Sequence, residues 1–298
     1  MKKVFILANP SSGKKQAEKY AKSAKELYEK KGWQVTIKIT QEKADISRFT
    51  KEACENEFDI LIVLGGDGTV SELVNVLKNV KHKPTIGIVP TGTVNNIAQG
   101  LGMNTDPEKA VDELIKGSQK TIDVGEINDQ LFVSSISAGS IPATVWKVSK
   151  EQKEKLGPLA YFIEGLKSLN DNEPYSVEIR LDNQEPIEID LSLLVVGVSN
   201  SIFGIDYFFD NAHYDDKKLH LFCVKQTNLG KQFVTFSRVL TNNEVTSEDN
   251  IAFSTTFEQA SFQLKQGKTN VALDGEKGPT FPLTVKIHPH FVNFLVPA

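Results

Sequence analysis

The sequence predicts an α/β plus all-β protein, in which an N-terminal doubly wound, mostly parallel sheet domain is followed by a C-terminal β-sandwich domain. Two observations predict it. Up to about residue 120, short apolar runs alternate with amphipathic helical stretches, the order that winds a parallel sheet. From about Thr121 onward, strand-like runs follow one another through Asn128-Asp129, Asp182-Asn183 and Gln266-Gly267 turns, the texture of antiparallel pairing. The expected division is therefore residues 1–120 and 121–287.

The bulk numbers suit two globular cores. The chain has 298 residues, 40% hydrophobic and 24% charged, which leaves no room for a large disordered fraction. A formal net charge of -4 gives no general attraction to nucleic acid, which is not an expected partner, or to an anionic membrane. Cys54 and Cys223 are the only cysteines and read as reduced core residues of a cytosolic protein. The first apolar run, Val4 to Ala8, is shorter than a signal-peptide core, and no run approaches the roughly 20 apolar residues of a membrane span.

Val4 to Ala8 reads as a buried strand, and Asn9-Pro10-Ser11-Ser12-Gly13 as the turn before a polar helix from about Lys14 to Lys31. Trp33 to Thr40 alternates, with Val35, Ile37 and Ile39 expected on one face. Asp45 to Asn56 is a crossover helix. It leads to Ile60 to Leu64, whose β-branched run suits a strand covered on both faces. Val70, Leu73, Val74 and Leu77 then fall at the spacing of a helix stripe. Thr85 to Val89 is the next strand, and Pro107 opens a further helix to Lys116. In the second part, helices are expected at about Leu159 to Leu169 and Leu229 to Leu240, with a last strand at Phe291 to Val296.

Gly65-Gly66-Asp67-Gly68-Thr69 joins the central strand to its helix. Glycines let main-chain amides approach an anion and permit positive φ, and the amides of the helix that follows point back at the loop. Neither Gly-x-x-x-x-Gly-Lys-Ser/Thr nor Gly-x-Gly-x-x-Gly is present. Asp67 within the glycines would repel a bare phosphate unless a cation such as Mg2+ lay between them. A second small-residue loop, Pro90-Thr91-Gly92-Thr93-Val94-Asn95-Asn96, reaches the same sheet edge. There Thr93 offers a hydroxyl, and Asn95 a contact to a base or ribose or a helix cap.

The glycine loop looks like that shared by diacylglycerol, sphingosine and NAD kinases and phosphofructokinases. Asn9-Pro10-Ser11-Ser12-Gly13, Gly65 to Thr69, Gly92-Thr93-Val94-Asn95 and Asp274-Gly275-Glu276, in that order, resemble the signatures of the bacterial diacylglycerol kinase catalytic-domain family. That resemblance implies an ATP-dependent lipid kinase with ATP in a cleft between two domains, and a C-terminal strand, within 288–298, that returns to the first domain. It implies that Asn9, Pro10, Ser11, Ser12, Gly13, Thr40, Gly66, Asp67, Gly68, Thr69, Val70, Ser71, Glu72 and Thr93 hold the nucleotide, with Asp67 ordering metal and water. Glu276 is implied as the general base toward a lipid hydroxyl.

Within Asn211 to Leu219, Asp215-Asp216 resembles the family's Leu-Asp-Asp-Gly segment. Asp216 is then the implied Mg2+ ligand, with carbonyls from His213 and Lys218. Two departures stand out: Asn96 replaces an Asp, and Lys217 replaces a Gly. An NAD kinase is the nearest rival, lacking here an Asn-Glu pair placed for a second nucleotide, since Asn243-Glu244 follows the metal turn. A degenerate homologue that binds nucleotide or lipid without turnover is the third reading. The implied partners are ATP and a lipid met at the bilayer surface by a cytoplasmic, transiently membrane-associated protein, with a homodimer left open. His288 and His290 fall on opposite faces of a strand and read as structural.

Overall fold

The computed structural model describes residues 1–12, 16–139, 175–202, 208–209, 211–226 and 251–298. Gly13, the helices expected at 159–169 and 229–240, and Asn243-Glu244 lie outside the described residues. The chain divides into two compact units, Met1–Val124 with Pro289–Ala298, and Gly125–His288.

In the first unit the elements run β1 (Lys3–Ala8), α1 (Ala17–Lys30), β2 (Gln34–Ile39), α2 (Ala44–Glu55), β3 (Ile60–Gly65), α3 (Asp67–Val76), β4 (Thr85–Pro90), α4 (Asn96–Gly100) and α5 (Pro107–Leu114). The parallel order is β2-β1-β3-β4. β1 and β3 form the centre, and every residue from Val4 to Ala8 and from Leu61 to Leu64 is fully buried. Burying one such side chain contributes about 1.5–3 kcal/mol, so this pair anchors the unit.

Helix α1 packs with α5, and α2 with α3, giving a layer on each face. The chain steps from β1 outward to β2, then back across β1 to β3. The order therefore reverses between β1 and β3, and at such a switch point the carboxyl ends of the strands part to leave a crevice. Helix α5 starts as its sequence dictates. Asp106 accepts the amides of Glu108 (2.9 Å) and Lys109 (3.4 Å), and Pro107 fills the first turn.

β2 is the outer strand, its residues are at most half-covered, and Ile39 is 41% exposed.

β5 (Ser118–Ile127) runs across the boundary of the two units. Asn128 and Asp129, both at positive φ, turn it into β6 (Gln130–Phe132). The second unit continues with β7 (Ser135–Gly139), β8 (Tyr175–Leu181), β9 (Ile187–Gly197), β10 (Leu219–Lys225), β11 (Ala252–Phe257), β12 (Gln259–Gln266), β13 (Val271–Leu273), β14 (Glu276–Lys277) and β15 (Leu283–Val296). Its pairings are antiparallel, in the order β14-β13-β7-β9-β8-β12-β15, with β10 on β9 and β11 on β10. The long β9 serves both β8 and β7 because its first residues pair with one and its last with the other.

β11 escaped the sequence reading, since Ala252–Phe257 alternates weakly. β15 starts at Leu283, eight residues before the expected strand, and its late residue Phe294 pairs in parallel with Ile86 of β4 in the first unit. His288 meets Glu126 through Nε2 at 2.7 Å, and the His290 amide donates to Asp123 at 2.7 Å.

Both cysteines are buried and unbridged. Burial pushes the Cys54 thiol up to about 11, with Glu55 adding to the shift, and burial also raises Cys223. Since the thiolate is the reactive form, neither thiol should react with a disulfide reagent at neutral pH until the protein is denatured, when both should. Fast labelling of the native protein would show that these sites open readily.

Candidate functional site

The first unit gathers its candidate residues at the carboxyl ends of β1, β2 and β3. Asn9 is the hub. Its Nδ2 donates to Thr69 Oγ1 (3.0 Å), and its Oδ1 accepts from the Ser11 amide (3.1 Å), Ser11 Oγ (2.6 Å) and Thr40 Oγ1 (3.5 Å). Its own amide donates to Leu64 O at 2.9 Å. One side chain thereby ties the turn after β1 to Thr40 and to the first turn of α3. These bonds order the loops around it. The Ser12 amide closes the same turn onto Asn9 O (3.2 Å), and Ser12 Oγ lies over Gly66. Pro10 is half-buried and Ser11 exposed beside them.

Gly66, in the loop after β3, is required by contact rather than by φ. Gly66 is extended (φ −102°, ψ −174°), and none of Gly65, Gly66 and Gly68 takes positive φ, which corrects the expectation from sequence. A Cβ on Gly66 would lie 2.9 Å from Gly92 Cα, and one on Gly92 would lie 2.6 Å from Gly66 Cα and 2.7 Å from Asn95 Oδ1. The two loops touch backbone to backbone. The Thr91 amide seals the contact by donating to Gly65 O at 3.0 Å.

Asn95, in the left-handed region (φ 59°), clips Gly92 from both sides. Its Oδ1 accepts the Gly92 amide and its Nδ2 donates to Gly92 O, each at 3.0 Å. It holds the N-cap position of α4, but its side chain caps no helix amide. Its backbone angle suits Asn, which tolerates this region better than most residues.

Asp67 opens α3 and reaches across to α4. Its Oδ2 accepts the Asn96 amide and its Oδ1 the Ile97 amide, each at 3.0 Å. The carboxylate thus meets the positive end of a helix, where each charge-assisted bond is about twice as strong as a neutral one. The N-cap of α3 is Gly66, which brings no side-chain acceptor to the first-turn amides. Such a helix start suits an anion. Thr69 and Val70 are buried and Ser71 half-buried, so Val70 belongs to the core face of the helix. Glu72 accepts from Ser47 Oγ on α2, a link the sequence did not suggest. Thr93 stands exposed on the facing loop.

The second unit carries the remaining candidates in two places. Asp274 and Gly275, at φ 48° and 84°, form a two-residue turn between β13 and β14 with Leu273 opposite Glu276. Two left-handed residues in a row are the signature of a type I′ hairpin. Asp274 also accepts the amides of Val133 (3.0 Å), Ser134 (2.8 Å) and Ser135 (2.9 Å), and its own amide donates to Ser135 O (2.8 Å). The hairpin tip is thereby fastened to the start of β7, and Glu276 is presented exposed on it. Sequence reading placed the Asp-Gly-Glu motif but missed the clamp.

The turn before β10 brings His213, Asp216 and Lys218 together. Asp216 Oδ2 accepts the His213 amide (3.1 Å) and meets His220 Nε2 (2.7 Å), while Oδ1 accepts the Lys218 amide (2.9 Å). Desolvation pushes the Asp216 carboxyl up, but the His220 hydrogen bond and the two amides outweigh it and hold it below the usual range. Lys217 stands at φ 63°, so the turn keeps the left-handed residue that Gly would supply. That conformation costs a non-glycine residue about 1–2 kcal/mol. The His213 carbonyl, expected as a metal ligand, accepts the Asp216 amide at 3.3 Å. Among the described residues, no group of three or more His, Cys, Asp or Glu side chains is placed to hold a metal.

The model of the diacylglycerol kinase catalytic domain matches residues 3–127, which include both glycine loops. The chain is 30% identical over 283 residues to a diacylglycerol kinase of Bacillus subtilis (strain 168), covering 95% of this chain and 92% of that protein. It is 32% identical over 230 residues to one of Staphylococcus carnosus (strain TM300), covering 77% and 75%. A crystal structure of a diacylglycerol kinase from Bacillus anthracis str. Sterne has the same fold, with TM-score 0.77 and 23% identity over 99% of this chain and 96% of that one. Among the described residues, no helix is long and apolar enough to cross a membrane. With a full-length relative at that identity and the paired glycine loops in place, the chain belongs to the diacylglycerol kinase catalytic-domain family of lipid kinases.

Proposed function

We propose that the protein transfers the γ-phosphoryl group of ATP to a lipid hydroxyl, with diacylglycerol as acceptor and phosphatidic acid as product. The observation that carries this reading is the backbone contact of the two glycine loops beside the start of α3, at the switch point of a parallel sheet. There the amides of Gly66 to Gly68 and the Thr69 hydroxyl, with Ser11, Ser12, Thr40 and Thr93, receive the phosphates, and Glu72 meets the ribose. Asp67 holds α4 against the loop and orders water. Mg2+ arriving with ATP supplies neutralisation of the phosphate charge. Phosphoryl transfer asks a protein mainly for such positioning. Glu276 accepts the proton of the lipid hydroxyl as oxygen attacks phosphorus and ADP leaves. The names of the relatives support diacylglycerol as the acceptor.

The protein meets its lipid at the bilayer surface and leaves it again. Labelled ATP presented with diacylglycerol, a sphingoid base, a prenol, phosphatidylglycerol and NAD should give labelled phosphatidic acid as the main product. Labelled NADP would favour the rival nucleotide kinase. No labelled product from a folded, ATP-binding protein would favour a homologue without turnover.

A further inference from the structure

The turn at residues 211–218 closes on its own amides and a neighbouring imidazole. A carboxylate offers about four lone-pair sites, and both of those on Asp216 Oδ2 are taken, by the His213 amide and by His220 Nε2. The Lys218 amide takes one on Oδ1. Mg2+ demands near-octahedral oxygen ligands at about 2.0–2.1 Å and gives up water reluctantly. Here three donors already converge on the carboxylate, one lone pair of the His213 carbonyl is taken, and Lys217 and Lys218 add positive charge to the same turn.

His220 is not a surface side chain that happens to lie near. It is 6% exposed, and it sits on β10 between β9 and β11, opposite Gly197 and Thr256. Its ring lies 5.4 Å from that of Phe209, which also packs over Gly197. The strand therefore fixes the imidazole in place, and the imidazole fixes Asp216. We infer that His220 stands where the family resemblance expects a divalent cation: the chain closes this turn with its own side chain and binds no Mg2+ there. The inference concerns the second unit alone and holds whichever acceptor is phosphorylated.

The test is melting of the nucleotide-free protein in EDTA and in millimolar MgCl2, for wild type, Asp216→Asn, His220→Ala and His220→Gln. Wild type should melt at the same temperature in both media. A Mg2+ response that is equal in wild type and Asp216→Asn also supports the inference, because the cation then acts elsewhere. His220→Ala should lower the melting temperature by roughly 3–8 °C, the scale of a lost buried bond to a charged group. Gln, whose amide reaches about as far as imidazole Nε2, should recover part of that loss; if the Ala variant does not fold, this variant carries the test. A Mg2+-dependent rise in wild type that disappears in Asp216→Asn overturns the inference. So does an unchanged melting temperature in His220→Ala.

Discussion

Glu276→Gln should bind ATP as wild type does and turn over about 100- to 10,000-fold more slowly, the range a positioned acid-base group supplies. The substitution keeps size and removes basicity. The backbone pairing of Glu276 with Leu273 and the turn at Asp274-Gly275 do not involve its carboxylate, so the hairpin should survive. A kcat loss with unchanged ATP affinity then marks a group that acts on the reacting hydroxyl. The Asp274 clamp sharpens the comparison, because it holds the tip to β7 through three amides. Near wild-type turnover in folded Glu276→Gln would reduce the motif to a well-fastened hairpin tip.

Gly92→Ala should lose nucleotide binding although residue 92 lies outside the glycine motif itself. Its new Cβ would sit 2.6 Å from Gly66 Cα and 2.7 Å from Asn95 Oδ1, distances that real Cβ atoms do not tolerate. The neighbour on one side is backbone, so the two loops must separate. Overpacking of this kind costs about 1–3 kcal/mol in stability. The larger effect is on the site, since displacing phosphate-binding amides by a fraction of an ångström to about 1 Å is worth up to about 100-fold in rate. Calorimetric ATP titration of the variant, with circular dichroism to confirm folding, measures it. Wild-type ATP affinity in a folded Gly92→Ala protein would remove the paired-loop account.

What the chain settles locally was legible in the sequence. The uniformly apolar run Ile60–Leu64 could only be a strand covered on both faces, and β3 is that strand, with its last four residues fully buried. Alternating strand and helix patterns dictated a parallel sheet, because a helical crossover carries the chain back to the edge where the previous strand began, so the next strand runs the same way. Asp274-Gly275 announced its turn, since both residue types suit positive φ. These features depend on contacts within about a dozen residues, and their signals are periodicity and turn chemistry.

The tertiary structure decided what those pieces touch. Gly66 looked like a residue chosen for phosphate access or for φ, and it is the backbone of Gly92 that leaves no room for a side chain there. Asp67 looked like a metal group, and its carboxylate receives two amides from residues 29 and 30 positions away. Asn95 and Asn9 looked like donors at a loop, and the structure adds the bonds with which they fasten Gly92, Ser11 and Thr69. Ser47 reaches Glu72 only because α2 and α3 pack on the same face. His220 follows Asp216 by four residues, yet nothing local announced the pair, because β10 must first be set between β9 and β11 before the imidazole turns back on the carboxylate. A polar side chain near a motif advertises hydrogen-bonding capacity, but which partner fills that capacity is decided by strands and helices brought together from distant parts of the sequence.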